Sequence, residues 1–195
     1  MVALVLGSAS PRRAQLLTQL GLEFETAAAD IDETPEPGEA AIDYVERMAR
    51  EKAVALAHDH ADSILLTADT TVILDGEALG KPRDHNDARR MLQAMSGRTH
   101  TVCTALFALS AAQRQQCCVQ TTVEMIDLSP ALVDAYFATD EPWDKAGAYG
   151  IQGLAGSFVR RIDGSVTNVI GLPQAETREL LARMGIQALV AGAVL

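Results

Sequence analysis

Short apolar runs alternate along this chain with stretches whose apolar positions recur at helical spacing. Residues 2–6, Val-Ala-Leu-Val-Leu, predict a short buried strand. Ser10, Pro11 and Gly21 stand where the N-cap, the first helical position and the C′ position of a helix reaching Leu20 would fall. Residues 22–27 predict a second strand. The segment 30–39 carries five acids, two prolines and a glycine and reads as a loop. From residue 39 to about 57, Ile42, Val45, Met48, Ala49, Ala53 and Leu56 follow a helical period. Residues 63–74 form an apolar, β-branched run interrupted by Asp69-Thr70-Thr71 and followed by an Asp75-Gly76 turn.

Beyond that turn, Gly80-Lys81-Pro82 is a loop, and Asp84 or Asn86 caps a helix reaching Met95. Residues 99–109 and 117–126 read as long strands. Ser129-Pro130 opens a helix ending near Thr139, and 141–153 is a glycine-bearing loop. Residues 156–162 and 165–170 predict a hairpin around Asp163-Gly164, and 173–184 a final helix; 185–195 add no signal. The alternation predicts an α/β fold, with hairpins that favour a mixed sheet over a purely parallel one. No repeat, linker or low-complexity stretch divides residues 1–195, so a single domain is expected.

Apolar residues make up 48% of the 195, enough for a sizeable core. No apolar run approaches the ~20 residues that span a bilayer, and the first residues lack the basic stretch of a signal peptide. A net charge of −10 argues against binding polymeric nucleic acid, which attracts basic faces, and gives no hint of a membrane role. Cys103, Cys117 and Cys118 are an odd count without zinc-like spacing, which reads as reduced thiols and a cytoplasmic location. An acidic chain that holds a phosphate ligand must gather its few cations in one place.

Gly7-Ser8-Ala9-Ser10-Pro11-Arg12-Arg13 joins the first strand to the first helix. Helix N-termini favour phosphate, small residues let the backbone approach, and two arginines can grip phosphate oxygens. The spacing of a Walker loop is absent, and an ordinary capped helix would look the same locally. Asp69 stands inside an apolar strand-like run, where a carboxylate is costly unless paired, hydrated or metal-bound. That makes it a candidate base or ligand, with a bulge or strand end as the plainer alternative. Lys81 is a single cation fixed between Gly80 and Pro82. Lys52, in Arg47-x-x-Arg50-Glu51-Lys52, falls beside the apolar stripe of its helix, as a ligand contact or a lysine at the rim of the core.

Asp30-x-Asp32-Glu33 is an acidic loop able to hold a hard cation or simply to be solvated. The segment 144–153, Asp-Lys-Ala-Gly-Ala-Tyr-Gly-Ile-Gln-Gly, has three glycines for close approach, and Gln152 offers a donor and an acceptor to a base edge. Trp143 and Tyr149 are expected to pack rather than stack on a base. His58 and His60 suggest a metal pair only weakly, since residues two apart on a helix point to different faces, and they are read as exposed residues.

Taken in order, Leu6-Gly7-Ser8-Ala9-Ser10-Pro11-Arg12-Arg13, Ala49-Arg50-Glu51-Lys52-Ala53, Ala68-Asp69-Thr70, Gly80-Lys81-Pro82, residues 95–100 (Met-Ser-Gly-Arg-Thr-His) and residues 144–153 resemble the Maf family of nucleotide pyrophosphatases, from Leu6 to about Pro173. The resemblance implies a two-lobed α/β fold similar to the inosine triphosphatases: a mixed twisted sheet flanked by helices, with the nucleotide between the lobes. It implies phosphate binding by Ser8, Ser10 and Arg13, and a reaction centre of Glu33, Lys52, Asp69 and Lys81, with Asp69 as proton acceptor. Arg12, Thr70 and Gln152 match the subgroup acting on dTTP and UTP; a second subgroup, for 7-methyl-GTP, differs at those positions.

The expected reaction is metal-assisted attack of water on the α-phosphate, giving the monophosphate and pyrophosphate. Mg²⁺ or Mn²⁺ would be held by Glu33 and Asp69 together with the phosphates. A pyrophosphatase for another nucleotide, a non-catalytic nucleotide sensor acting in cell division, and a homodimer are left open.

Overall fold

The computed structural model describes residues 2–187. Seven strands make one sheet: β1 (Leu4–Gly7), β2 (Glu25–Ala27), β3 (Ile64–Leu74), β4 (Glu77–Leu79), β5 (Thr99–Leu109), β6 (Arg114–Met125) and β7 (Val159–Asp163). Six α-helices accompany them: α1 (Pro11–Thr18), α2 (Ala41–Leu56), α3 (His85–Met95), α4 (Pro130–Phe137), α5 (Val166–Ile170) and α6 (Gln174–Arg183). The strand order is β2-β1-β3-β5-β6-β7, with β4 attached to β3. β2, β1 and β3 run parallel, and every later pairing is antiparallel, so the expected mixed α/β sheet is the one observed.

Alternation along the strands distributes the core. Leu66, Ala68, Leu106 and Ala108 pack with Leu16 and Leu17 of α1 and Leu180 and Leu181 of α6. On the opposite face, Cys103, Ala105 and Phe107 meet Val45, Ala49 and Ala53 of α2. Further along β3, Val72 and Leu74 join Leu79, Val102 and Met125 over Met91, Leu92 and Met95 of α3. A fully buried leucine such as Leu17, Leu66 or Leu181 contributes about 1.5–3 kcal/mol. Among the described residues, no helix is long and apolar enough to cross a membrane.

One irregularity of pairing prepares the site. β1 accompanies β3 only as far as Thr67, and β4 joins it only from Val72. Residues 68–71 therefore pair with β5 on one side and, among the described residues, with no strand on the other. β3 is nonetheless continuous, so Asp69 occupies neither a bulge nor a strand end.

The predicted hairpin over 156–170 is not formed. Residues 154–158 make a 3₁₀ turn, β7 pairs with β6, and residues 166–170 are helix α5. The β-branched Val-Thr-Asn-Val-Ile sequence favours a strand, but capping and burial outweigh it. Ser165 Oγ accepts the Asn168 N–H at 3.2 Å, and Ser165 N–H donates to Thr121 Oγ1 at 3.0 Å. Buried Asn168 donates from Nδ2 to Val102 O and to Thr121 Oγ1, both at 3.0 Å. β4 was not anticipated from the sequence. It follows from Asp75 (φ 53°) and Gly76 (φ 86°), whose left-handed turn folds Glu77–Leu79 back onto β3. Ser10 holds the N-cap position of α1, yet its side chain makes no cap bond.

Candidate active site

Gly7 ends β1 where the chain must turn tightly past β3. A Cβ at this position would lie 2.5 Å from Thr67 Cγ2 and 2.9 Å from Leu56 Cδ1, so only glycine fits. The loop then reaches α1, where Ser8 Oγ accepts the Ser10 N–H at 3.2 Å and Arg13 Nη1 at 3.3 Å. With no side-chain cap, the N–H groups of the first turn of α1 stay available to an anion.

Arg13 is partly buried and ties three elements together. Its Nε donates to Gly171 O at 2.9 Å and its Nη2 to Thr70 Oγ1 at 3.0 Å, besides the contact with Ser8. Burial lowers its pKa from the ordinary arginine value, with the charge of Asp69 acting the other way. Thr70 Oγ1 also bonds Thr104 Oγ1 at 2.9 Å, and Thr104 reaches Asn168 O at 3.0 Å. Thr70 is thus part of a hydroxyl chain in the cleft wall.

Asp69, one residue away and on the opposite strand face, meets Lys52 of α2. Lys52 Nζ lies 2.6 Å from Asp69 Oδ1 and 2.7 Å from Glu33 Oε1. The Lys52 and Asp69 side chains are 12% and 13% exposed, so little solvent screens their attraction. Burial pushes the Glu33 carboxyl up, but Lys52, with Lys81 and Arg13 beyond it, more than offsets this and holds it below its usual value.

The loop carrying Glu33 is fixed by α2. Arg47 grips Glu39 with both arms of its fork, at 2.6 and 2.7 Å, and reaches Thr34 O at 3.1 Å. Tyr44 Oη donates to Glu33 O at 3.0 Å. Burial, with Asp69 and Glu33 behind it, pushes the Tyr44 phenol up to about 12, so it remains a donor.

Across the cleft, Arg12 Nη1 pairs with Asp144 Oδ2 at 2.9 Å. Gly147 N–H donates to Gly80 O at 3.0 Å, coupling the 144–153 loop to the loop of Lys81. Lys81 and Gln152 are exposed. All ten residues singled out above, namely Ser8, Ser10, Arg12, Arg13, Glu33, Lys52, Asp69, Thr70, Lys81 and Gln152, line one cleft of about 850 Å³.

Other candidates lie elsewhere. Asp32 Oδ1 accepts the Thr34 N–H at 2.9 Å within its own turn, and His58 is 99% exposed in the turn after α2. Trp143 packs against His85 and Phe137. Tyr149 is buried against His100 at 2.7 Å, although it touches the cleft. Tyr44, Glu141 and Asp144 also line the cleft, and none was assigned a role from the sequence. Tyr44 did leave a signal, standing eight residues before Lys52 on the same helical stripe.

Among the described residues, no three His, Cys, Asp or Glu side chains cluster as a self-sufficient metal cage. Glu33 and Asp69 each give Lys52 one oxygen, leaving Glu33 Oε2 and Asp69 Oδ2 without a protein partner among the described residues. Two hard oxygen donors beside the Ser8–Arg13 loop fit an ion such as Mg²⁺ or Mn²⁺, whose remaining ligands would come from a bound anion and water.

Known proteins share this arrangement of sequence. A protein from Shewanella oneidensis named dTTP/UTP pyrophosphatase is 52% identical over 191 residues, 94% of this chain and 98% of its own length. One of the same name from Myxococcus xanthus is 51% identical over 183 residues, covering 94% and 93% of the two chains. Among solved structures, a HAM1 protein from Coxiella burnetii aligns with a TM-score of 0.43 and 18% identity over 64% of this chain and 73% of that one. The family model described as Maf-like protein matches residues 3–184, the span that carries every residue of the cleft, and this chain therefore belongs to the Maf family.

Proposed function

We propose that this protein hydrolyses nucleoside triphosphates, dTTP and UTP above all, to the nucleoside monophosphate and pyrophosphate. One observation carries the reading: Lys52 holds Glu33 and Asp69 together opposite the Ser8–Arg13 loop, in a cleft whose far wall presents Gln152. The names of the half-identical relatives support the same substrates.

The triphosphate lies along the first turn of α1, with Ser8, Ser10, Arg13 and Lys81 facing its oxygens. Asp69 accepts a proton from the attacking water as the bond to the α-phosphorus forms and the bond to the leaving pyrophosphate breaks. Lys52 holds Asp69 in place, and together with Lys81 and Arg13 it meets negative charge gathering on the phosphates. Glu33 and Asp69 would hold a divalent ion, which would supply charge neutralisation on the triphosphate and a lowered pKa for water.

Gln152 and Arg12 select the base. The planar amide of Gln152 offers a donor and an acceptor to the imide edge that thymine and uracil share and cytosine lacks. The reading places the enzyme in the cytoplasm, where the free thiols of Cys103, Cys117 and Cys118 are at home.

A nucleotide panel with Mg²⁺ or Mn²⁺, scored separately for pyrophosphate and orthophosphate, tests this. Pyrophosphate release fastest from dTTP and UTP supports it. Tight binding without turnover would make the protein a sensor, and preference for another base would reassign the Gln152 wall.

A further inference from the structure

Arg12 and Gln152 are both held by side chains of one short segment that precedes the base-facing loop. Gln152 rides on the turn 150–153, closed by the Gly153 N–H to Gly150 O bond at 3.2 Å. Glu141, on the cleft wall beside it, supports that turn. Its Oε2 accepts the Leu154 N–H at 2.8 Å, while its Oε1 is buried without a hydrogen-bond partner and abuts Gly153. Any Cβ at Gly153 would collide with this carboxylate, and a Cβ at Gly150 would lie 2.6 Å from Lys145 Cδ and Cε. Neither glycine has a left-handed φ, so what the turn needs there is room rather than backbone freedom.

The same segment continues to Arg12. Lys145 Nζ donates to Glu141 O at 2.6 Å and to Asp144 Oδ1 at 2.5 Å, and Asp144 Oδ2 accepts from Arg12 Nη1 at 2.9 Å. A buried carboxylate oxygen with no donor is costly. The protein carries that cost where it fixes the backbone on either side of Gln152, an exposed side chain with no partner of its own among the described residues.

We propose that Glu141 is a positioning residue for base selection: it sets the place and angle of Gln152 through the turn that carries it, as Asp144 sets Arg12. The proposal rests on the reading of Gln152 as the base contact. It assigns selectivity to a residue on the cleft wall whose carboxylate contacts the turn carrying Gln152 rather than Gln152 itself.

The test compares wild type, Glu141→Ala, Glu141→Gln, Gln152→Ala and the double variant Glu141→Ala/Gln152→Ala, measuring kcat/KM for dTTP, UTP, CTP and GTP together with Tm. Glu141→Ala is expected to lower kcat/KM for dTTP and UTP roughly tenfold more than for CTP and GTP, mainly through KM. Glu141→Gln keeps an oxygen for the Leu154 N–H and should recover part of the ratio. Added to Gln152→Ala, the Glu141 change should cost no further selectivity, because the two act through one contact. Equal losses on all four nucleotides, or a fall in Tm with an unchanged ratio, would reduce Glu141 to a structural residue. A ratio moved by Gln152→Ala but not by Glu141→Ala overturns this proposal alone. A ratio unmoved by Gln152→Ala removes the base-reading role, and the proposal with it.

Discussion

Lys52 Nζ stands between two carboxylates, 2.7 Å from Glu33 Oε1 and 2.6 Å from Asp69 Oδ1. Removing that cation leaves two like charges facing each other in a partly enclosed site and takes from Glu33 the partner that holds its carboxyl down. In the wild type the Glu33 carboxyl is held below its usual value. Its contribution is therefore present above the unfolded-state pKa and lost as pH falls through the lowered folded value. Lys52→Met should move the acid limb of the kcat/KM profile to higher pH. A limb that stays in place, measured across pH 4–8 on dTTP, would show that Lys52 does not set the ionisation of Glu33.

Asp69→Asn keeps the shape of the side chain and removes its basicity. Turnover should fall by roughly 10²–10⁴, while Tm stays level or rises because Lys52 keeps Glu33 as its partner. Near-normal turnover would move the base to Glu33.

Arg13→Lys should be far from conservative. The guanidinium serves Gly171 O, Ser8 Oγ and Thr70 Oγ1 at once, a geometry that an ammonium on a flexible stem does not reproduce. We expect a loss of about 1–3 kcal/mol in stability by denaturant unfolding, together with a lower kcat/KM for every nucleotide. A variant that loses activity with full stability would confine Arg13 to the substrate.

Gly7→Ala tests the close approach of β1 to β3. The added methyl meets Thr67 Cγ2 at 2.5 Å, so β1 or its neighbour must shift, at about 1–3 kcal/mol. Because Ser8 follows directly, KM for the triphosphate should rise as well. Unchanged stability and KM would mean that the loop absorbs the methyl without moving.

The elements read most easily from the sequence have periodic apolar positions and explicit ends. The sequence predicts β5 over 99–109, and it forms over Thr99–Leu109; α3 is capped by Asp84, whose side chain accepts the Asp87 N–H. The helix α5 was misread because its β-branched residues favour a strand in isolation, and the bonds that decide otherwise come from Thr121 and Val102, more than forty residues away. The continuity of β3 through Asp69 was equally hidden, since it depends on where β1 stops and β4 begins. The cleft residues were legible through motifs kept in order. Arg47, Glu141 and Asp144 were not assigned, because what they do is hold other residues, and Arg12 and Asp144 are 132 residues apart.

Where the new oxygen goes during a single turnover decides the chemistry most directly. dTTP should be hydrolysed in ¹⁸O-labelled water with Mg²⁺ and the products weighed by mass spectrometry. Attack on the α-phosphorus beside Asp69 puts one label in dTMP and none in the pyrophosphate. Label in the pyrophosphate would put the attack on the β-phosphorus, and orthophosphate with dTDP as first products would put the cut between the β- and γ-phosphates. Either result would contradict the assignment of Asp69, Lys52 and Glu33 to attack on the α-phosphorus.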